Sequence, residues 1–291
     1  MHNPFSEQSV SKDSDRELVA AAIQGDGQAL EKIILRHQAW IYNIAFKMIM
    51  DHDDACDITQ EILIKTITNL SSYDSKKAAF RTWLYRVVVN HVLSMKRKKF
   101  ERRINDFDQY INLIEKLPDH QQTNHPEAHF LASEFKIGCM MGMLMCLNRS
   151  DRLTFLLGAV FSIKDTVGAE LMEISRENFR KKLSRAKQKL FTHMNSVCGH
   201  VNPERKCLCK NKYKNFVEMG MLDGDNTRYL KPDTMVVKEV VEERVKQFST
   251  QYYDPFLTHF QEQPFYEPPD MVKWLRDMIG HDDFKRMFNI Q

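Results

Sequence analysis

No run in these 291 residues approaches the roughly 20 consecutive apolar residues that a membrane span requires. The opening stretch from Met1 to Lys12 is polar and has no apolar signal-peptide core. These two absences lead us to expect a cytoplasmic protein with no membrane insertion. Cysteine is sparse, with six in the chain. In a reducing compartment such thiols are free or metal-bound rather than paired in disulfides. Acids and histidines at catalytic spacing are also missing outside one cysteine cluster, which argues against an enzyme.

What is present is an ordinary globular composition, 43% hydrophobic and 28% charged, over a length that suits two or three domains. The net charge of +3 hides a split. From Glu218 to the end there are 14 acids against 9 Lys and Arg, so the surplus of positive charge lies on residues 1–217. That front part suits a polyanion, and the acidic tail does not.

Periodicity predicts an all-α fold. Ser14-Asp-Arg-Glu17 has the form of a capping box ahead of Leu18, Ala21 and Ala22. Gly25 breaks that helix and Asp26 can cap the next, which carries Leu30, Ile33, Ile34, His37, Ile41 and Ile44 on one stripe. His37 there reads as a core or boundary residue rather than a ligand. A third helix opens near Asp53, with Ala55, Ile58 and Ile62 inward and Asp54, Asp57 and Glu61 on the other face. A fourth holds Phe80, Leu84, Val88 and Val92 and runs into Lys96-Arg-Lys-Lys99. Residues 104–127, with Pro118, Pro126 and a polar run, read as a linker holding at most a short helix. Helical patterning resumes near Glu127, and Cys139 and Cys146 at i and i+7 in an apolar helix read as core.

In residues 176–190, Phe179, Leu183, Ala186 and Leu190 form a helical stripe. The other face carries Arg180, Lys181, Lys182, Arg185, Lys187 and Lys189 with no acid among them. Lys164–Met172 and a tight turn at Glu173-Ile174-Ser175 precede it, so the pair reads as a helix-turn-helix. Arg176, Asn178 and Arg180 at its start suit base edges, because Arg pairs with guanine and Asn with adenine. Lys181, Lys182, Arg185 and Lys187 suit phosphates. A merely solvated basic face is the other explanation of such a charge run.

Two blocks in this order resemble an extracytoplasmic-function (ECF) sigma factor of bacterial RNA polymerase. The first comprises Glu17-Leu-Val-Ala-Ala, Gly25-Asp26, Ile41-Tyr42, Asp53-Asp-Ala-Cys-Asp-Ile-Thr-Gln-Glu61, Phe80-Arg-Thr-Trp-Leu-Tyr-Arg86 and Asn90. It is similar to sigma region 2. The second comprises Cys146-Leu-Asn-Arg149, Gly168-Ala-Glu-Leu171, Arg176-Glu-Asn-Phe-Arg180 and Leu183-Ser-Arg-Ala186, and is similar to region 4. The resemblance implies region 2 over 14–103, a linker over 104–127, region 4 over 128–195 and an extension over 196–291.

It further implies that Asp54, Asp57, Gln60 and Glu61 bind core polymerase. The loop Asn69–Lys77, with Asn69 and Tyr73, would capture a flipped base of the −10 element. Arg81, Trp83, Arg86, Asn90, Lys96 and Arg97 would join it on the promoter, although for Trp83 a core anchor is the preferred reading, since it adjoins Leu84 in the inward stripe. The basic helix would read the −35 element. The implied partners are core polymerase, double-stranded and melted promoter DNA, and an anti-sigma factor. Two positions depart from the family pattern: Cys56 stands where an acid is usual, and Lys164-Asp-Thr-Val-Gly-Ala replaces the usual start of the first helix-turn-helix helix. A metal-responsive helix-turn-helix regulator that never joins the polymerase is the alternative.

Beyond the basic helix, Cys198-Gly-His200 and Cys207-Leu-Cys209 place three thiols and an imidazole around the Asn202-Pro203 turn. These residue types are zinc ligands. The C-x-C spacing is unlike a standard zinc finger, so unligated reduced cysteines remain the other reading, and no cofactor is required by the rest of the chain. The acidic tail contains candidate helices at Val236–Phe248 and Met271–Ile279. Its charge suits an intramolecular cover over the basic DNA-reading face.

Overall fold

Aspartates and asparagines set the helix starts. Asp26 accepts from the amides of Gln28 and Ala29, Asp51 from that of Asp54, Asp106 from that of Gln109, and Asn148 from that of Asp151. Gly25, at φ 95°, supplies the left-handed turn between the first two helices. The structure, a computed structural model, describes residues 5, 14–104, 106–121, 125–223, 227, 229–230 and 255–280. The expected helix at Val236–Phe248 lies outside the described residues.

The helices are α1 (Ser14–Ile23), α2 (Gly27–Ile49), α3 (His52–Thr68), α4 (Phe80–Ser94), α5 (Lys99–Arg103), α6 (Phe107–Lys116) and α7 (Pro126–Met145). They continue with α8 (Arg149–Phe155), α9 (Asp165–Leu171), α10 (Arg176–Val197), α11 (Cys209–Glu218), α12 (Pro255–Gln261) and α13 (Met271–Gly280). No strand is formed among the described residues, so the fold is all-α. The chain divides into two compact units: Met1–Lys98 with Ile163–Phe179 and Phe265–Gln291, and Lys99–Ser162 with Arg180–Pro264.

In the first unit α2, α3 and α4 bury Ile34, Ile41, Ile44, Phe46, Ile58, Ile62, Leu84 and Val88. Each large aliphatic side chain removed from water contributes about 1.5–3 kcal/mol, so this stripe-on-stripe packing dominates the unit. His37 is buried in it, as its place in the stripe predicts.

Asp15, expected only within a capping box, is instead buried at 1% exposure. It accepts from Arg81 Nε at 2.7 Å and from Arg36, with His37 Nε2 at 3.6 Å. Burial alone would raise its pKa, but the hydrogen bonds from His37, Arg81 and Arg36 hold the carboxyl well below the usual range.

The end of the described chain packs on α2 within the same unit. Asn43, fully buried, donates to the carbonyl of Tyr266 at 2.7 Å and accepts from its amide at 2.8 Å. Phe265 meets the Trp40 ring at 6.0 Å. Met271, Val272 and Leu275 of α13 are buried, and Arg276 grips Glu31 through two bonds of 2.6 and 2.7 Å.

In the second unit, a three-turn helix, α6, stands where the sequence led us to expect a linker with at most a short helix. Phe107, Tyr110, Ile111 and Ile114 fall at i, i+3, i+4 and i+7 and are all buried, so a complete apolar face outweighs the prolines that follow it. Glu101 of α5 is buried between Arg149, which reaches both its oxygens at 2.8 and 2.6 Å, and Arg152 at 3.1 Å. Arg152 also donates to the carbonyls of Leu144, Met145 and Leu147, capping the C-terminus of α7. Glu134 of α7, itself buried, accepts from the consecutive amides of Tyr229 and Leu230 at 2.7 Å each. Phe260 of α12 meets Phe155 at 5.1 Å, and Phe256 meets Phe191 of α10 at 5.6 Å.

Candidate nucleic-acid and protein interface

The acidic face of α3 forms as the helical spacing predicts. Ala55, Ile58 and Ile62 turn inward, leaving Asp57 and Glu61 exposed and Asp54 and Gln60 half-buried. Two of these acids already have basic side chains beside them: Asp54 takes Lys98 at 2.7 Å, and Glu61 lies 3.2 Å from His91. Burial, and after it Lys65, pulls the His91 pKa down. Burial, then Asp53 and Asp57, push the Cys56 thiol up, so this position adds no charge to the face.

The loop after α3 is held by local bonds. Asn69 is exposed and donates through Nδ2 to the carbonyl of Lys65 at 2.7 Å. The Tyr73 hydroxyl donates to the carbonyl of Ala78 at 3.1 Å. Tyr73, Phe80 and Trp83 form an aromatic trio with centroids 5.5–5.7 Å apart. Trp83 is half-buried beside that loop rather than in the core stripe, so the core-anchor reading is corrected. Asn90, Lys96 and Arg97 are exposed.

Arg81 requires the opposite correction. It is 8% exposed and bonded to Asp15, so its guanidinium braces α4 against α1 instead of facing a ligand. Arg86 is half-exposed, and its Nε donates to the carbonyl of Glu170 at 3.2 Å, with a weaker approach to the Glu170 carboxylate at 3.5 Å.

The helix-turn-helix elements appear where predicted. Positive φ at Ser162 and Glu173 brackets α9, and Gly168 sits so close beneath the Phe179 ring that any side chain there would collide with it. Arg176 and Asn178 are exposed at the start of α10, and Arg176 pairs with Asp165 at 3.0 Å. Farther along, Phe179, Ala186 and Leu190 are buried, while Arg180, Lys181 and Arg185 are exposed and Lys187 is half-exposed. Lys182 departs from the expected phosphate-facing set: its Nζ donates to Ser150 Oγ at 3.0 Å and lies 3.5 Å from Asp151.

After α10, Cys198 and Cys207 pair through their backbones, and the Gly199 amide donates to the carbonyl of Cys207 at 2.9 Å. The Asn202-Pro203 turn closes the loop, with the Asn202 amide on the Cys198 carbonyl at 2.8 Å. Cys198, His200, Cys207 and Cys209 line one cavity of about 30 Å³. Two further residues line it that the sequence did not assign there: Cys139 of α7, expected in the core, and His259 of α12. Burial pushes the Cys139 thiol up to about 12 and Cys207 up to about 11, with the neighbouring cysteines adding to both. Among the described residues, no three His, Cys, Asp or Glu side chains are already gathered as a metal site. No described helix is long and apolar enough to cross a membrane.

The Sigma-70 region 2 family model matches residues 33–102, which cover most of α2, all of α3 and α4 and most of α5. The RNA polymerase sigma-H factor of Pseudomonas aeruginosa is 31% identical over 81 residues, 28% of this chain and 42% of that protein. The ECF RNA polymerase sigma factor SigW of Bacillus subtilis is 34% identical over 76 residues, 26% of this chain and 40% of that protein. A solved structure of CnrH in complex with the cytosolic domain of CnrY is similar at a TM-score of 0.45 and 18% identity, covering 62% of this chain and 97% of that one. The chain therefore spans about two fifths of the length of the sigma-H and SigW relatives it matches. Residues 33–102 are thus similar to sigma-70 region 2, and the chain resembles the sigma-H and SigW sigma factors over about a quarter of its length.

Proposed function

We propose that this chain is a transcription initiation factor that binds core RNA polymerase and directs it to promoters. The observation that carries the reading is the solvent-facing pair Asp57 and Glu61 on α3, inside the segment matched by sigma-70 region 2. Acids on the exposed side of a rigid helix offer a docking face for a basic partner, and charge complementarity there governs association rate and specificity. The aromatic trio beside the Asn69–Lys77 loop supplies flat surfaces on which an extruded base can stack, offsetting the few kcal/mol of unstacking. On α10, Arg176 and Asn178 are set to read the −35 element, and Lys181, Arg185 and Lys187 to neutralise phosphates. The chemistry is binding and strand opening rather than catalysis, and an anti-sigma factor is a further partner of this reading.

The test is capture of core polymerase by the full chain, followed by runoff transcription. Wild-type chain forms a stable complex and initiates at defined sites. The Asp57→Ala/Glu61→Ala pair loses the complex while its helical content stays that of the wild type. An unchanged complex in the double variant refutes the docking face.

A further inference from the structure

Residues 265–280 cover one face of the first unit, and they hold it differently from core packing. Trp40, Asn43 and Lys47 fall at i, i+3 and i+7 on α2, a stripe beside the aliphatic one of Ile41, Ile44 and Met48. Phe265 meets the Trp40 ring, and the main chain of Tyr266 pairs with both ends of the Asn43 amide. The Tyr266 ring lies against Phe46 at 4.7 Å and His52 at 5.3 Å, with Lys47 Nζ 5.6 Å from its centre.

The stripe of Ile41, Ile44 and Met48 shows what permanent burial on this helix looks like. The covered stripe instead holds an amide and an ammonium: Asn43 is 0% exposed and Lys47 2%. Taking an ammonium out of water costs free energy that contact with an aromatic face offsets only in part. Lifting Tyr266 away returns water to Lys47, so covering this face carries a cost that an aliphatic face would not impose. At the rim the grip is a solvent-facing ion pair, Arg276 on Glu31, which water replaces readily.

The segment keeps its shape by local means. Pro268 and Pro269 hold the stretch ahead of α13 extended, and Asp270 caps that helix by accepting from the Lys273 amide at 2.8 Å. An extended aromatic pair followed by a capped amphipathic helix can leave α2 and return as one piece.

The ground beneath it adjoins the acidic face. His52 is the first residue of α3, the helix that carries Asp57 and Glu61. Positions 52 and 57 lie about 7.5 Å apart along the helix axis. A specific interface covers about 800 Å² on each partner, a patch of about 16 Å radius. A partner centred on Asp57 therefore reaches the ground that Tyr266 occupies.

We propose that residues 265–280 are an autoinhibitory strap that competes with core RNA polymerase for the surface where α2 meets α3. This rests on the docking reading of α3 given above. Polymerase binds the strap-open chain, so its apparent affinity scales with the open fraction. By reciprocity, polymerase opens the strap by the same factor that the strap weakens polymerase.

Two quantities are measured on the full chain: amide hydrogen exchange over 265–280 by mass spectrometry, and the Kd for core polymerase by titration. Tyr266→Ala removes two ring contacts and the cation–π contact, enough to raise the open fraction about tenfold. Exchange then quickens about tenfold and Kd falls by the same factor. Arg276→Glu, a surface change that leaves the core intact, moves both quantities the same way, and Glu31→Arg/Arg276→Glu restores them. Lys47→Met removes the buried charge, so it slows exchange and weakens polymerase binding. Adding polymerase to the wild-type chain quickens exchange over 265–280. Quicker exchange in Tyr266→Ala and Arg276→Glu with an unchanged Kd overturns the strap, while loss of binding in Asp57→Ala/Glu61→Ala still upholds the docking face. Unchanged exchange in both strap variants also overturns it. Failure of every form, wild type included, to bind polymerase overturns the docking reading and the strap with it.

Discussion

Replacing Asp15 by Asn removes the charge at the centre of the first unit without changing side-chain volume. Asp15 is 1% exposed, and its partner Arg81 is 8% exposed. The substitution therefore removes the buried carboxylate that faces the Arg81 guanidinium, a loss that costs about 3–5 kcal/mol when one member of a buried pair is removed. Arg36, which is more exposed, recovers water and softens the effect, so about 3 kcal/mol is expected. Arg81→Met should cost less, because a long apolar side chain fills the same space against α1. In the double variant the coupling reaches about 1.5–3 kcal/mol, since neither charge is then stranded.

Urea unfolding followed by circular dichroism measures all three variants, with an unchanged denaturant slope confirming that only stability has moved. The carboxyl is held below its ordinary range in the folded state, so the unfolded chain binds more protons in acid. The stability from this group is therefore complete above the ordinary carboxylate pKa and fades as pH falls below it. The Asp15→Asn protein lacks that acid-dependent component. A change under about 0.5 kcal/mol in Asp15→Asn, or strict additivity in the double variant, refutes the account. The same account requires folded Arg81→Met to bind DNA with an unaltered salt dependence.

Lys47 provides a second, oppositely placed titration. It is buried with its Nζ 5.6 Å from the Tyr266 ring centre, and burial pulls its pKa down to about 7 from 10.5. Between those values the unfolded chain carries the extra proton, so wild-type stability climbs as pH rises from about 7 towards 10. Lys47→Met abolishes the climb and is more stable at pH 6 by about 2–4 kcal/mol, read from denaturation at several pH values. On DNA, Lys181→Ala and Arg185→Ala each reduce the slope of log affinity against log salt by about one, equally on all sequences. Asn178→Ala leaves that slope in place and costs discrimination at one base pair by about 1–3 kcal/mol, as measured by competition with single-base variants.

The helical framework was legible because its signals are local. Asp26, Asn148 and the apolar stripes of α2, α3 and α10 lie within a few residues of the elements they specify. The acidic face of α3 was legible for the same reason, since burying Ile58 and Ile62 exposes Asp57 and Glu61. Helix α6 was obscured by Pro118, Pro126 and the polar run that follow it, although its i, i+3, i+4, i+7 pattern was present in the sequence. Arg81 and Lys182 could not be assigned from local pattern, because their partners Asp15 and Asp151 lie far away in sequence and only the fold brings them close. Cys139 was hidden in another way. Its apolar helical surroundings are those of a core residue, and only the return of the chain after α10 brings the other thiols to it.

Asn43 and Glu134 hold the distal chain by its main-chain amides and, at Asn43, a carbonyl, not by its side chains. Every residue except proline carries those groups. Positions 229, 230 and 266 can therefore change identity across generations without losing these bonds, whereas Asn43 and Glu134 cannot. Asn43 and Glu134 thus act as fixed clasps, and at these three positions the extension keeps its attachment whatever non-proline residue stands there.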